Sequence, residues 1–151
     1  MPVKKLKEFL DNNHVKYVSI IHSRAYTAAE VAQSAHIPGK EMAKTVMVKV
    51  DGKMAMAVLP AFQQVDFERL KGALGAKTVE LASEREFQDL FPECEVGAMP
   101  PFGNLYGMDV CVSRQLTADK EIAFNAGSNT ELIKLAYQDF ERLVKPKAVD
   151  F

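Results

Sequence analysis

Lys44-Thr45-Val46-Met47-Val48-Lys49-Val50-Asp51-Gly52-Lys53-Met54-Ala55-Met56-Ala57-Val58-Leu59 is the stretch from which the fold can be read. Asp51-Gly52 suits the positive backbone angles of a tight two-residue turn, so the flanking segments read as the arms of a β-hairpin. The register follows from the turn. With Val50 opposite Lys53, Val48 falls opposite Ala55, Val46 opposite Ala57 and Lys44 opposite Leu59, all on one side of the ribbon. Met47 then faces Met56 and Thr45 faces Val58 on the other side. Both faces are largely apolar, which makes this hairpin central to its sheet. Lys44 shares its face with three valines, and Ala55 and Ala57 leave room for a small pocket beside its ammonium. Burying an unpaired ammonium is costly. Either Lys44 snorkels to solvent from the first position of the strand, or its charge meets a phosphate or a developing oxyanion in that pocket.

Working outward, a first helix is predicted from about Val3 to Leu10, with Val3, Leu6, Phe9 and Leu10 on one face and Asn12-Asn13 ending it. Tyr17 to Ile21 reads as a strand. Thr27-Ala28-Ala29-Glu30 fits a capping box that opens a short helix ending before Pro38-Gly39, and Ser83-Glu84-Arg85-Glu86 fits another whose helix ends before Pro92. Asp66 caps a helix between them, with Val65 and Leu70 able to staple its start. Further strands are expected at Thr78 to Leu81, Asp109 to Ser113 and Glu121 to Phe124. Thr130 to Ala136 has a periodicity that a helix would also satisfy. It reads as a strand because Tyr137 to Val144 already supplies the final helix, stopped by Pro146. Strands punctuated by helices at irregular intervals fit an α+β domain better than a βαβ repeat. With no internal repeat, low-complexity tract or linker, residues 1–151 read as a single domain.

The composition, 48% hydrophobic and 26% charged over 151 residues, is that of one compact domain with a real core. No run of about 18 apolar residues occurs, and Met1 to Lys7 lacks the apolar stretch of a secretory signal. A cytoplasmic protein with no membrane contact is expected. Cys94 and Cys111 form no Cys-x-x-Cys pair and read as two reduced thiols. His14, His22 and His36 lack metal-ligand spacing, so neither a metal nor a cofactor is expected. No Gly-x-Ser-x-Gly, Walker or Gly-x-Gly-x-x-Gly motif occurs, and His22 and Ser23, adjacent on a strand, point to opposite faces. A net charge of -1 argues against wrapping duplex DNA, yet is compatible with gripping one RNA end. Basic clusters stand at Lys4, Lys5 and Lys7, at Lys40, Lys44, Lys49 and Lys53, and at Lys134, Arg142, Lys145 and Lys147. Each also reads as a solvated face, since acidic residues are interspersed.

Two loops carry further signals. Gly97-Ala98-Met99-Pro100-Pro101-Phe102-Gly103 pairs rigid prolines with glycines, fixing a loop while letting a ligand or another backbone approach closely. Asn125-Ala126-Gly127-Ser128-Asn129 follows a strand and offers several amide donors in one bend, either an ordinary turn or an anion nest.

The lysine in Met42-Ala43-Lys44-Thr45-Val46, then Gly97-x-x-Pro100-Pro101, then Asn125-Ala126-Gly127, at these separations, resembles the YbaK/prolyl-tRNA-synthetase-associated editing domain family. His22-Ser23 through Glu30 and the tail Asp139-Phe140-Glu141-Arg142-Leu143-Val144 extend the likeness over roughly residues 15 to 146. The resemblance implies a mixed, barrel-like β-sheet with flanking helices and a pocket for an aminoacyl group carried on the terminal adenosine. It implies a free-standing aminoacyl-tRNA deacylase, removing a small, alanine-like amino acid from mischarged tRNA, with tRNA(Pro) the expected acceptor. The expected partners are the aminoacyl-tRNA acceptor end and prolyl-tRNA synthetase. Lys44 matches the family's essential lysine, and Gly127 the backbone position near the scissile carbonyl. Gly97, Met99, Pro100 and Pro101 fall in the loop forming a pocket wall, and Ser128 and Asn129 complete the candidate substrate-binding set. Asn129 stands where many relatives have histidine. Asparagine donates and accepts hydrogen bonds but cannot take a positive charge. It is the feature favouring a second reading, a catalytically weak aminoacyl-tRNA or nucleotide-binding regulatory module of the same fold. The chemistry suits the first reading, because an aminoacyl ester is already activated and needs positioning and oxyanion stabilisation more than a strong nucleophile. The family is thought to recruit a hydroxyl of the terminal ribose, which would replace a protein general base.

Overall fold

The computed structural model describes residues 4–22, 37–92, 94–95 and 97–151. The expected capping box at Thr27 to Glu30, and with it Val3, Ser23 and His36, lies outside the described residues. In chain order the helices are α1 (Lys4–Asn12), α2 (Phe67–Leu74), α3 (Glu84–Phe87), α4 (Arg114–Thr117) and α5 (Tyr137–Val144). The strands are β1 (Tyr17–Ile21), β2 (Ala43–Val50), β3 (Lys53–Pro60), β4 (Val79–Leu81), β5 (Asp109–Ser113), β6 (Glu121–Ser128), β7 (Glu131–Ala136) and β8 (Lys147–Val149).

β2 and β3 form the hairpin that the sequence dictates, in the register running from Val50 opposite Lys53 to Lys44 opposite Leu59. Asp51 and Gly52 turn it with φ of 51° and 82°, a region that costs glycine nothing and asparagine or aspartate little. The Asp51 carboxylate also accepts hydrogen bonds from the Lys77 and Thr78 amides at 2.8 and 2.9 Å, which brings β4 alongside β2. β5 runs parallel to β3, and β8 parallel to β5. The result is a five-stranded mixed sheet ordered β4-β2-β3-β5-β8, with the hairpin inside it. A second, antiparallel sheet has the order β1-β7-β6. One isolated parallel bridge, Met42 to Ala123, joins the two. The architecture is the expected mixed α+β one, but the sheet does not close into a barrel.

The main core lies between the sheets. Met47, Met56, Val58 and Val112 from the larger one meet Ile122, Phe124, Ile133 and Leu135 from the smaller, with Leu6 and Leu10 of α1 and Phe140 of α5. Phe102 is fully buried there, its ring centroid 5.5 Å from that of Phe124, 5.6 Å from Phe140 and 6.2 Å from Phe9. The opposite face of the larger sheet is also covered, by Leu70 of α2 and by Phe151 over Val48, Ala57 and Leu59. Both faces of the hairpin are therefore buried, as its sequence requires.

The helix ends follow local chemistry. Asp66 accepts from the Arg69 amide at 3.1 Å, Ser83 and Glu86 form the reciprocal capping box, and Gly75 ends α2 in the left-handed region. The segment that could have been helix or strand is β7, central in its sheet. β6 runs on to Ser128, past the expected end at Phe124, because a register shift between Asn125 and Ser128 lets the pairing resume opposite Glu131. Neither the single turn of α4 nor β8 was expected from the pattern. α4 rests on the Ser113 hydroxyl, which accepts from the Gln115 amide at 3.3 Å. β8 is too short to show alternation, and its existence depends on the open edge of β5.

Candidate active site

β2 has different neighbours at its two ends. β4 pairs only with Val48 to Val50, so at the start of the strand that side faces β6 through the Met42 to Ala123 bridge. Bridged residues on parallel strands point the same way, and Met42 and Ala123 share one apolar cluster with Ile37, Ala61 and Leu132. By strand alternation Lys44 and Asn125, two residues further along, point to that same side. Beyond the bridge the strands part, β2 towards β4 and β6 into its bulge.

Lys44 is half-buried, and its ammonium makes no ion pair among the described residues. Its neighbours on the hairpin differ: Lys49 lies 3.3 Å from Glu80 and 2.6 Å from Glu86, and Lys53 lies 3.8 Å from Asp109. Burial without a compensating carboxylate pushes the pKa of Lys44 below the usual lysine value. Asn125 presents the complementary feature, a buried Oδ1 without a hydrogen-bond partner. A half-buried cation without an ion pair among the described residues and a buried carbonyl oxygen without a hydrogen-bond partner thus lie on the same side where the two sheets meet. Such groups are costly in a fold and are useful to a ligand that satisfies both.

The second wall is the loop before β5. The Glu95 amide donates to the Gly127 carbonyl at 2.8 Å, and the Gly127 amide donates to the Ala98 carbonyl at 2.9 Å. This reciprocal pair fastens the loop to the end of β6 and uses both backbone groups of Gly127. Gly127 and Gly97 have φ of 101° and 84°, which only glycine adopts without strain. Gly97 is exposed, while Pro100 and Pro101 are buried and Met99 is packed into the main core. The side chain of Met99 supports the loop from beneath.

The bend after β6 is equally committed. Ser128 and Asn129 are only 2% and 5% exposed. The Ser128 hydroxyl accepts from the Thr130 amide at 3.4 Å and lies 3.2 Å from the Thr130 hydroxyl. Asn129 donates from Nδ2 to Glu95 Oε2 at 2.9 Å, and from its amide to Glu95 Oε1 at 3.4 Å. The three motifs of the sequence therefore converge around the end of β6. Lys44 lies two residues past the bridge to β6 on one side, and the loop from Gly97 to Pro101 is tied to Gly127 on the other. Two participants were not singled out by sequence reasoning. Asn125 was read as part of a bend and of the motif Asn125-Ala126-Gly127 without a role of its own, although an asparagine alternating with Ala123 on a buried strand is a legible signal. Glu95 gives none, because its partner Asn129 is remote in the chain.

A cavity of about 540 Å³ opens at the other end of the hairpin, beside Lys53, Met54, Asp109, Cys111 and Lys147, and none of Lys44, Gly97, Met99, Pro100, Pro101, Gly127, Ser128 or Asn129 lines it. Cys111 there is inert, its thiol pushed up to about 12 by burial. Cys94 and Cys111 are both free thiols. Among the described residues no group of three or more His, Cys, Asp or Glu side chains is placed to hold a metal ion, and no helix is long and apolar enough to cross a membrane.

Comparison with known proteins bears on the same residues. The family model of the aminoacyl-tRNA editing domain matches residues 22–143. The multifunctional Ser/Thr-tRNA deacylase ProXp-y of Escherichia coli K12 is 34% identical over 115 residues, covering 72% of this chain and 68% of that protein. A proline--tRNA ligase of Bacillus mycoides is 34% identical over 74 residues, which are 49% of this chain and 13% of the ligase. Among solved structures, the hypothetical protein APE2540 superposes with a TM-score of 0.86 at 21% identity, covering 97% of this chain and 98% of its own. A proposed trans-editing enzyme for prolyl-tRNA synthetase superposes with a TM-score of 0.81 at 17% identity, covering 97% and 94%. The two superpositions speak for the fold, the family model and the E. coli relative for descent, and together they establish that this chain belongs to the aminoacyl-tRNA editing domain family and is an aminoacyl-tRNA deacylase.

Proposed function

We propose that the chain releases a small mischarged amino acid, of alanine or serine size, from the acceptor end of a transfer RNA. The acceptor we expect is tRNA(Pro), and the enzyme whose errors it corrects is prolyl-tRNA synthetase. The observation that carries this reading is the half-buried Lys44 ammonium, without a carboxylate partner among the described residues, on the side of the sheets that also bears the unsatisfied Oδ1 of Asn125. An aminoacyl ester on a terminal adenosine brings matching groups: phosphate and developing oxyanion for a cation, and an α-ammonium for a buried acceptor. Lys44 then holds the RNA end or stabilises negative charge at the ester, Asn125 orients the amino group, and the loop from Gly97 to Pro101 limits the side chain. Water attack on this activated ester needs placement more than a strong base, and a hydroxyl of the terminal ribose can direct it.

Selection by size supports a small side chain. A synthetase pocket gains only about 1 to 3 kcal/mol per methylene, so smaller amino acids enter it and a second site must remove them. Likeness to a Ser/Thr-tRNA deacylase of E. coli supports a small amino acid, and likeness to a proline--tRNA ligase of B. mycoides supports the link to prolyl-tRNA synthetase. The test is a deacylation panel of alanyl-, seryl-, threonyl- and prolyl-tRNA with the purified protein. Alanyl or seryl esters should be cleared at least about tenfold faster than prolyl ones. Equal rates across the panel, or fastest hydrolysis of prolyl-tRNA, would overturn the size-selective reading. Binding to all four without turnover would replace it with the regulatory-module alternative.

A further inference from the structure

We infer that Glu95 and Asn129 are a positioning pair, a carboxylate-amide clamp that sets where the pocket wall from Gly97 to Pro101 stands relative to the end of β6. This rests on the proposed reading that the wall faces the substrate. Glu95 closes a ring of contacts. Its amide donates to the Gly127 carbonyl at 2.8 Å, its carbonyl accepts from the Ala98 amide at 3.0 Å, and the Gly127 amide returns to the Ala98 carbonyl at 2.9 Å. Backbone hydrogen bonds alone would let this ring pivot about the two glycines with positive φ, Gly97 and Gly127. The side chain removes that freedom. Asn129 reaches both Glu95 carboxylate oxygens, Oε2 from Nδ2 at 2.9 Å and Oε1 from its amide at 3.4 Å. Asn129 is itself 5% exposed and sits in the bend where β6 recovers its register opposite β7. The clamp thus couples the loop to the turn between β6 and β7, and it engages the amide of Asn129 in the scaffold.

The donor and acceptor roles can be exchanged, which gives a test independent of size or packing. Asn129→Asp sets two carboxylates against each other and should open the clamp. Glu95→Gln should be mild, because Asn129 can turn its side-chain amide to accept from the introduced glutamine. The double variant restores both contacts with roles reversed: the glutamine donates to the introduced aspartate and still accepts from that residue's backbone amide. We expect Asn129→Asp to lower kcat on the best ester of the panel about 10- to 100-fold with KM changed less than about threefold, the signature of misplacement rather than lost binding. The double variant should return to within about threefold of Glu95→Gln. Hydrogen exchange at the Gly127 amide should accelerate in Asn129→Asp and recover in the double variant, and this readout needs no substrate. A wild type that hydrolyses no ester but shows this exchange pattern would sink the functional reading and leave the clamp standing. Full activity in Asn129→Asp would overturn the proposal. So would a double variant that stays well below Glu95→Gln in rate, or fails to fold where Glu95→Gln folds, and that outcome remains decisive if Asn129→Asp alone proves unstable.

Discussion

Replacing Lys44 with methionine should separate catalysis from stability, because the ammonium serves one at the expense of the other. Methionine keeps an unbranched apolar stem beside Val46 and opposite Leu59, so packing on that face of the hairpin changes little. Losing one charge-stabilising donor costs about 100- to 1000-fold in rate, or about 2.7 to 4 kcal/mol of barrier. The stability effect has the opposite sign. Burial holds the folded-state pKa of Lys44 below the ordinary value of 10.5, so the folded chain disfavours the charged form. That penalty is fully present below the folded pKa and disappears above 10.5. At neutral pH the Lys44→Met variant should therefore be as stable as the parent or slightly more so. Since the group is only half-buried, the difference should stay within about 0.5 to 1 kcal/mol. Single-turnover deacylation of alanyl- or seryl-tRNA, corrected for spontaneous ester hydrolysis, gives the rate, and urea denaturation gives the stability. A variant retaining more than about a fifth of the rate removes Lys44 from the mechanism. A destabilisation above about 2 kcal/mol would mean that the ammonium supports the fold, and its lack of a carboxylate partner would no longer point to a ligand.

Two further outcomes test the scaffold. Phe102→Ala, which empties the ring position between Phe9, Phe124 and Phe140, should cost about 3 to 5 kcal/mol in urea denaturation, and a loss under about 1.5 kcal/mol would show that the site collapses without a cavity. The Glu86 carboxyl is held down at about 2, first by its hydrogen bond from Lys49 and then by the Ser83 backbone and hydroxyl. Its folded pKa lies below the ordinary 4.5, so its contribution is complete above that value and lost as pH falls through about 2. The gap in urea midpoint between the parent and Glu86→Gln should accordingly shrink as the pH is lowered from about 5 to about 2, and a gap independent of pH would count against the Lys49 pairing.

The hairpin was legible because its turn dipeptide fixes the register, and the register fixes which side chains share a face. The same logic put Lys44 on a valine-lined face. Legibility ended where partners are remote in the chain. β8 exists because β5 offers an open edge, which no property of Lys147 to Val149 announces. The extension of β6 to Ser128 depends on a bulge against β7, so local pattern stopped it at Phe124. At the site, the glycines and prolines of the loop were readable as special backbone. The use of Asn129 was not. The resemblance implied a substrate contact for it, and the fold adds a partner that no local pattern announces, Glu95 at its side-chain amide.

The pairing of β1 with β7, Tyr17 opposite Leu135, makes the smaller sheet an assembly of distant parts. During synthesis the first strand leaves the ribosome long before the strand that will cover its hydrogen-bonding edge. Loop-closure entropy must be met before that pairing returns anything, so folding should fall towards the slow end of the range for small domains, milliseconds to seconds. The exposed side chains of Val18 and Ile21 lie on that waiting strand. Until β7 arrives, this is where a nascent chain would pair with the wrong neighbour, and slowing translation between β6 and β7 should lower the yield of soluble protein more than slowing it within the early hairpin.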